Sequence, residues 1–478
     1  MKKYIALFLF VVILLLLFSL AYVANSFASN TNYITILTFG EYGNREGEFN
    51  YPVGITQDKS GNLYITDWEN DRIQIFTSEG RLLKVIPEKD SELKIDGPVG
   101  IVLDQNENII VVEQFNNRVQ KISPDGKSLN MVGKEGNGPG EFLNPRGIAI
   151  DKNDNIYVVD TGNNRIQKFS SDFKFVKQFG REGMGDGEFY YPRGIALDKE
   201  GNIYVADTFH NQVQVFDNDG NFLRKFGEGG DDVGQFNGTR YIAFDSKGNI
   251  YVTDYKNGKV VKFNKEAQFE LEFGNESDDA KLSFPEGIAI DDRDYVFVVE
   301  AGNNRIVKYC LSKIVIHNNL GNKYLDEHKW EEAISEFKQV ISIDPLNITA
   351  REGIALAFYE NEEWKNAIEA YNYLKENDPE NQQIKIKIID SHFNLAMHYE
   401  NISSFKDACR EYKEVLNLNP NYPSAKKRYY ISYIKYMFYS PYSRVIFISL
   451  IVIILLIILL PKIKKRKKTG RHSRGGRY

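Results

Sequence analysis

The sequence predicts a multidomain chain: an all-β propeller of six four-stranded blades, an all-α array of helical hairpins, and a C-terminal transmembrane helix. Three observations carry this reading. A string of the form P-x-G-I recurs five times, with Thr239-Arg240-Tyr241-Ile242 as a sixth, variant copy, at steps of 46 or 47 residues. After Tyr309 a second period takes over, 34 and then 41 residues long, spacing small, aromatic and proline residues as helix–turn–helix units do. Two uncharged apolar runs, residues 5–24 and 445–460, stand beside short basic stretches. At 478 residues the chain is too long for one ordinary core, and its two cysteines exclude a disulfide scaffold.

Taken in order, residues 1–29 read as a signal peptide or an N-terminal membrane anchor. Lys2 and Lys3 precede an apolar run of twenty residues, and Ser26-Phe27-Ala28 offers a cleavage site. The run is long for a signal and long enough to span a bilayer, so both readings stay open.

Residues 30–310 hold the blades. The third positions of the repeated string are Gly54, Gly100, Gly147, Gly194, Tyr241 and Gly287. Each unit has a short apolar strand, a polar turn, an alternating strand ending in an acid, a further turn and two more strands. Four antiparallel strands repeated at this period make propeller blades. The sixth unit lacks a fourth strand, whereas Ile34-Thr35-Ile36-Leu37-Thr38-Phe39-Gly40 matches that strand's pattern, so the N-terminal segment is expected to complete the last blade and remove the open edge. The acid–Arg pairs Asp67/Arg72, Glu113/Arg118, Asp160/Arg165 and Glu300/Arg305 read as structural ties.

The unit GEFxxPRGIAxDxxGNIYVADTxNxRIQxF resembles the NHL repeat, a blade of six-bladed propellers, over residues 34–309. The chain departs from it at Tyr241, at Gln212 and Lys259 in place of the blade arginine, and in blade 2, which lacks the Gly-rich loop. The resemblance implies a binding module. It also admits a lyase or hydrolase, since some related propellers are such enzymes. The propeller, however, has one histidine and one cysteine, too few for a zinc site, leaving only an oxygen-ligated metal over the channel as the enzymatic alternative. No catalytic residue, metal or cofactor is assigned.

Strand direction puts the P-x-G position and the turn after the second strand on one face. That face is expected to collect Val53, Val99, Arg146, Arg193, Arg240 and Glu286 from the first set, and Trp68, Phe115, Phe209, His210 and Tyr255 from the second. Arginines with an aromatic rim suit a carboxylate, a phosphate or an acidic peptide. The competing reading pairs each arginine with a loop acid such as Glu141 or Glu188.

Residues 311–440 carry the second period: Leu320-Gly321, Tyr324, Ala333, Phe337 and Pro345 recur as Ile354-Ala355, Phe358, Ala367, Tyr371 and Pro379, and as Leu395-Ala396, Tyr399, Ala408, Tyr412 and Pro420. Small residues let helices approach, aromatic residues fill the groove between them and the proline stops the second helix. The pattern resembles the tetratricopeptide (TPR) repeat, which implies a concave peptide-binding groove, here with Asn318, Asn322 and Asn394. Only Asn322 matches the clamp that captures C-terminal carboxylates in some members. A seven-residue insertion near residues 382–388 lengthens a helix or loop, and the segment from Ser424 to Tyr439 is expected to cap the array.

Residues 441–461 form the predicted transmembrane helix, whose sixteen-residue apolar centre covers roughly 24 Å, and 462–478 form a basic tail that should stay cytoplasmic. The net charge of −5 thus divides into −14 on the propeller, −3 on the helical array and +12 at the two ends. The expected protein sits in the cell membrane with propeller and helical array extracytoplasmic, acting as a scaffold for protein or peptide partners. An acidic, exported body is not expected to bind nucleic acid. Four Asn-x-Ser/Thr sequons, at Asn237, Asn275, Asn347 and Asn401, are compatible with export.

Overall fold

The computed structural model describes residues 33–275 and 281–439, with Val445, Ser449, Val452 and Ile453 beyond them. The chain divides into two compact units, Met1–Val315 and Ile316–Tyr478. Among the described residues no helix is long and apolar enough to cross a membrane. The predicted N-terminal signal or anchor (1–29) and the basic tail (462–478) lie outside the described residues, as does the predicted span (441–461) apart from those four positions.

The first unit is a propeller of six four-stranded antiparallel sheets. Blades 1 to 5 occupy residues 52–86, 98–132, 148–179, 195–226 and 239–273, each in simple sequence order. Blade 6 takes three strands from 285–311 and its outermost strand from the N-terminal side: Tyr33–Phe39 pairs antiparallel with Arg305–Leu311, Tyr33 opposite Leu311. The closure expected from the sequence is therefore present, and it leaves the ring without a free seam.

Burial departs from simple alternation. The second strand of every blade, such as Ile156–Asp160 or Ile203–Asp207, is buried at all five positions, because adjacent blades cover both of its faces. The outer strands are the half-exposed ones, as in Ser128–Val132 and Phe175–Phe179.

Each second strand delivers its terminal acid into the fold with no exposure: Asp67, Glu113, Asp160, Asp207, Asp254 and Glu300. A buried carboxylate must be paired, and the arginine five residues on does this in four blades. Arg72 Nε lies 2.7 Å from Asp67, Arg118 Nε 2.8 Å from Glu113, Arg165 Nε 2.8 Å from Asp160, and Arg305 pairs with Glu300. In blade 4, where Gln212 replaces the arginine, His210 Nδ1 (2.7 Å) and Gln212 Nε2 (3.0 Å) hold Asp207. In blade 5 Lys259 turns instead to Glu272, at 2.7 Å.

Blades are stitched to one another by the residue before that arginine. Asn164, left-handed at φ 52°, accepts from the Tyr191 N–H of the next blade (2.7 Å). Asn304, Asp71, Asn117 and Asn211 do the same for Tyr51, Gly97, Asn144 and Gly238. Asn and Asp tolerate this backbone region and carry the acceptor the stitch requires. The Gly-x-Gly-x-Gly string at 183–187 is a loop between blades: Gly185 N–H donates to Glu188 Oε2 (2.9 Å), and Phe189 is fully buried against Phe216.

The second unit contains seven helices among its described residues: α1 (Ser312–Asp326, which begins at the end of the first unit), α2 (Trp330–Ile343), α3 (Ile348–Glu360), α4 (Trp364–Asn377), α5 (Gln382–Asn401), α6 (Phe405–Leu418) and α7 (Ala425–Tyr439). Helices α2, α4 and α6 end two residues before Pro345, Pro379 and Pro420, as the residue preceding a proline resists helical geometry. The insertion is taken up within α5, which runs twenty residues. Phe337 on α2 shows why small residues recur: a Cβ on Gly321 would come within 2.6 Å of its ring, and one on Gly353 within 2.4 Å. Asn347, one of the sequon asparagines, is a buried N-cap of α3 accepting from the Ala350 N–H (3.0 Å), so the folded chain does not present it for modification.

Candidate functional site at the propeller axis

The innermost strands approach so closely that only glycine fits at five of six equivalent positions. A Cβ on Gly54, Gly100, Gly147, Gly194 or Gly287 would lie 2.1, 2.3, 2.2, 2.0 or 2.4 Å from a main-chain carbonyl oxygen of the next blade. Those carbonyls belong to Val99, Arg146, Arg193, Arg240 and Val53, the residues at the P-x-G position. The ring of glycines therefore gathers the side chains of that position around the axis.

Tyr241 occupies the sixth place. It starts from blade 5, yet it packs against the core cluster built from blades 1 to 3 as well as that of blades 5 and 6. Its ring thus crosses the axis, and the phenol comes under the influence of Glu286, Arg146, Arg193 and Arg240. Burial, followed by the nearby Glu286, raises the Tyr241 hydroxyl above the ordinary tyrosine range.

Two of the three arginines meet one acid. Glu286, 1% exposed, has Oε1 at 3.4 Å from Arg240 Nε and 3.9 Å from Arg193 Nη1. Glu141 and Glu188, the loop acids weighed as partners, pair with Lys134 and Arg181 instead. Burial lowers Arg146 and Arg240 from the ordinary arginine value; for Arg146 the neighbouring Arg193 adds to the depression, and for both Glu286 opposes it. Among the described residues Arg193 Nε, Glu286 Oε2 and Tyr241 Oη are buried without a hydrogen-bond partner, and Arg146 is half-buried with no ion pair to its guanidinium. Each such orphan costs about 1–3 kcal/mol, so the cluster is a concentration of polar capacity the fold leaves unused.

An aromatic arc borders the cluster. Phe115, Trp68 and Tyr51 follow one another at ring separations of 5.3 and 5.5 Å. The Tyr51 hydroxyl meets that of Tyr255 at 2.7 Å, Arg240 stacks on the Tyr255 ring at 3.9 Å, and Phe284 stacks on Tyr255 at 4.7 Å. Since Tyr51 belongs to blade 1 and Tyr255 to blade 5, this pair bridges across blade 6 on the side of Glu286.

The structure thus brings together Arg146, Arg193, Arg240, Trp68, Phe115 and Tyr255. Phe209 stands in a separate exposed patch with Tyr190 and Tyr191, at 5.5 and 5.4 Å. His210 is committed to Asp207 and Met184. It takes the place of the asparagine that holds the acid in other blades, such as Asn163 on Asp160, so it is part of the blade tie rather than of the face. Tyr51 was missed, because the loop entering blade 1 shows its role only once Tyr255 is placed beside it. Glu286 and Tyr241 carried a signal, each being the odd residue at its repeat position.

In the helical unit Asn318 and Asn322 lie one turn apart on α1 and Asn394 lies on α5; no hydrogen bond among the described residues joins the two sets. Asn318 Oδ1 is buried without a partner, Asn322 is exposed, and Asn394 neighbours Tyr359. Among the described residues no three His, Cys, Asp or Glu side chains come together to hold a metal.

Comparison with known proteins agrees with the architecture. A family model described as a 6-bladed beta-propeller matches residues 54–176, and an NHL repeat model matches residues 189–216. The B-box type zinc finger protein ncl-1 of Caenorhabditis elegans is 44% identical over 43 residues, which is 9% of this chain and 5% of that protein. Among solved structures, a streptogramin B lyase is 17% identical with a TM-score of 0.42, covering 59% of this chain and 98% of its own. A gluconolactonase of Xanthomonas campestris is 14% identical, covering 59% and 97%, with a TM-score of 0.43. A Bacteroides thetaiotaomicron protein of unknown function is 17% identical, covering 59% and 76%, with a TM-score of 0.46.

Proposed function

We propose that the chain is a binding scaffold whose propeller takes an anionic group of a protein or peptide partner at its axis. The observation that carries this is the gathering of three arginines at the axis, Arg193 and Arg240 meeting Glu286 and Arg146 within its electrostatic influence, with buried polar atoms left unpartnered in a propeller of net charge −14. A local positive centre attracts an anion, while the acidic body around it repels the rest of an acidic surface. Glu286, held by two arginines, acts as their counter-ion.

The helical unit is read as a tetratricopeptide-like array providing a second binding surface; Phe337 between Gly321 and Gly353 and the proline stops support this. The apolar runs 5–24 and 445–460, with basic residues beside them, favour a membrane-anchored body on the outer side with the tail inside.

The test is fluorescence anisotropy of a labelled Asp/Glu-rich peptide with the full chain and with Arg146→Ala and Arg146→Ala/Arg193→Ala variants, their folding checked by thermal unfolding. A charge-assisted hydrogen bond contributes about 1.5–3 kcal/mol, so the double variant should bind at least about tenfold more weakly. Unchanged binding by a folded double variant removes the proposal.

A further inference from the structure

Resting on the reading that the axis binds an anion, we infer that its ligand is a dianionic end group of the phosphomonoester class. Three arginines bring three positive charges to the axis and Glu286 returns one negative charge. The balance is two. A carboxylate or a sulfate ester neutralises half of it, and burial makes the uncompensated remainder expensive. A phosphomonoester carries nearly two charges at neutral pH and three strong acceptor oxygens. The unpartnered donors on hand are Arg193 Nε, the Tyr241 hydroxyl and the Arg146 guanidinium, which match those oxygens in kind.

The shape of the site argues for an end group over an internal diester. Tyr241 crosses the axis where every other blade has glycine, so a chain cannot thread through. The Tyr51–Tyr255 hydroxyl pair bridges blades 1 and 5 and covers the side of Glu286 and Arg240, both of which are buried. Arg146 and Arg193, on blades 3 and 4, are the arginines left partly exposed. A group reaching Arg146 and Arg193 from that side has Tyr241 behind it, which suits a terminal phosphate better than a phosphodiester with substituents on both flanks. The chemistry is shared by a phosphorylated side chain and by a small phosphate ester, and a phosphopeptide arm separates the two.

The experiment is isothermal titration of the full chain, at neutral pH, with phenyl phosphate and phenyl sulfate, which share a shape and differ in charge. The phosphate ester should bind at least about tenfold more tightly. Glu286→Gln raises the site's charge by one, which favours a dianion about twice as strongly as a monoanion, so it should tighten both esters and widen the ratio. Equal affinities in the wild-type chain, or a ratio untouched by Glu286→Gln, overturn the dianion assignment. If the Asp/Glu-rich peptide binds through the arginines but neither ester does, the inference fails and the anion-binding reading survives. If nothing binds, both fail. A phosphoserine peptide binding more tightly than phenyl phosphate supports a phosphorylated protein as the source; equal affinity supports a small ester.

Discussion

Gly194→Ala offers a sharp test of how the axial ring is built. The added methyl would lie 2.0 Å from the Arg240 carbonyl oxygen and 2.8 Å from the Tyr241 Cα, both main-chain atoms of the next blade. Relief to 3.0 Å, below which Cβ contacts essentially do not occur, requires the inner strands of blades 4 and 5 to part by about 1 Å in a close-packed interior. No side-chain rotation supplies that. Overpacking typically costs 1–3 kcal/mol, and with main chain on both sides the expected loss is at the upper end, about 3 kcal/mol. The three tryptophans make the assay specific: in a Trp330→Phe/Trp364→Phe background, Trp68 fluorescence reports urea unfolding of the propeller alone. Gly126→Ala is the control. Gly126 sits at φ +87° with nothing within 4 Å of its would-be Cβ, so it carries only the left-handed backbone penalty of about 1–2 kcal/mol. If Gly194→Ala costs no more than Gly126→Ala, the close approach does not hold the ring and the account of the P-x-G motif fails.

Three further outcomes follow from the same geometry. Tyr241→Phe removes an unpartnered buried hydroxyl, so it should leave stability unchanged or raise it by about 1 kcal/mol while weakening anion binding; lowered stability would show that the hydroxyl is satisfied. Phe337→Ala should destabilise the helical unit by about 3–5 kcal/mol in thermal unfolding, since the ring fills the space between Gly321 and Gly353. Burial alone would raise the Glu400 carboxyl, but hydrogen bonds from Ser432, Tyr412 and Arg428 outweigh it and hold the group below its ordinary value of 4.5. Its contribution is therefore present above that value and lost as pH falls through the lower folded value. Glu400→Gln should flatten the acid limb of the helical unit's stability curve, and an unaltered limb would contradict this.

The blade count, the closing strand and the acid–arginine ties were legible in the sequence because each is a repeated local pattern with one physical cause. Six glycine-position strings at one spacing leave little choice of architecture, and a missing fourth strand implies a donor elsewhere. The arginines at the axis were legible for the same reason. Their partner was harder to read: Glu286 meets Arg193 from two blades away, a relation set by ring closure and invisible to a search among neighbouring loop acids such as Glu141. His210 misled for the opposite reason. An exposed-looking turn histidine replaces an asparagine in the blade tie, and its contact with Asp207 is what reveals that substitution of role. Phe209 shares that turn yet points into a patch of its own with Tyr190 and Tyr191, because a turn fixes position around the ring and leaves side-chain direction free.

The most direct test is anomalous diffraction from crystals of the full chain containing tungstate, a tetrahedral dianion, at a concentration matched to the protein. The account predicts a peak within hydrogen-bond reach of Arg146 and Arg193 beside Tyr241, lost in the Arg146→Ala/Arg193→Ala variant. Tungstate bound elsewhere on the face with none at the axis, or a peak that persists without the two arginines, would contradict it.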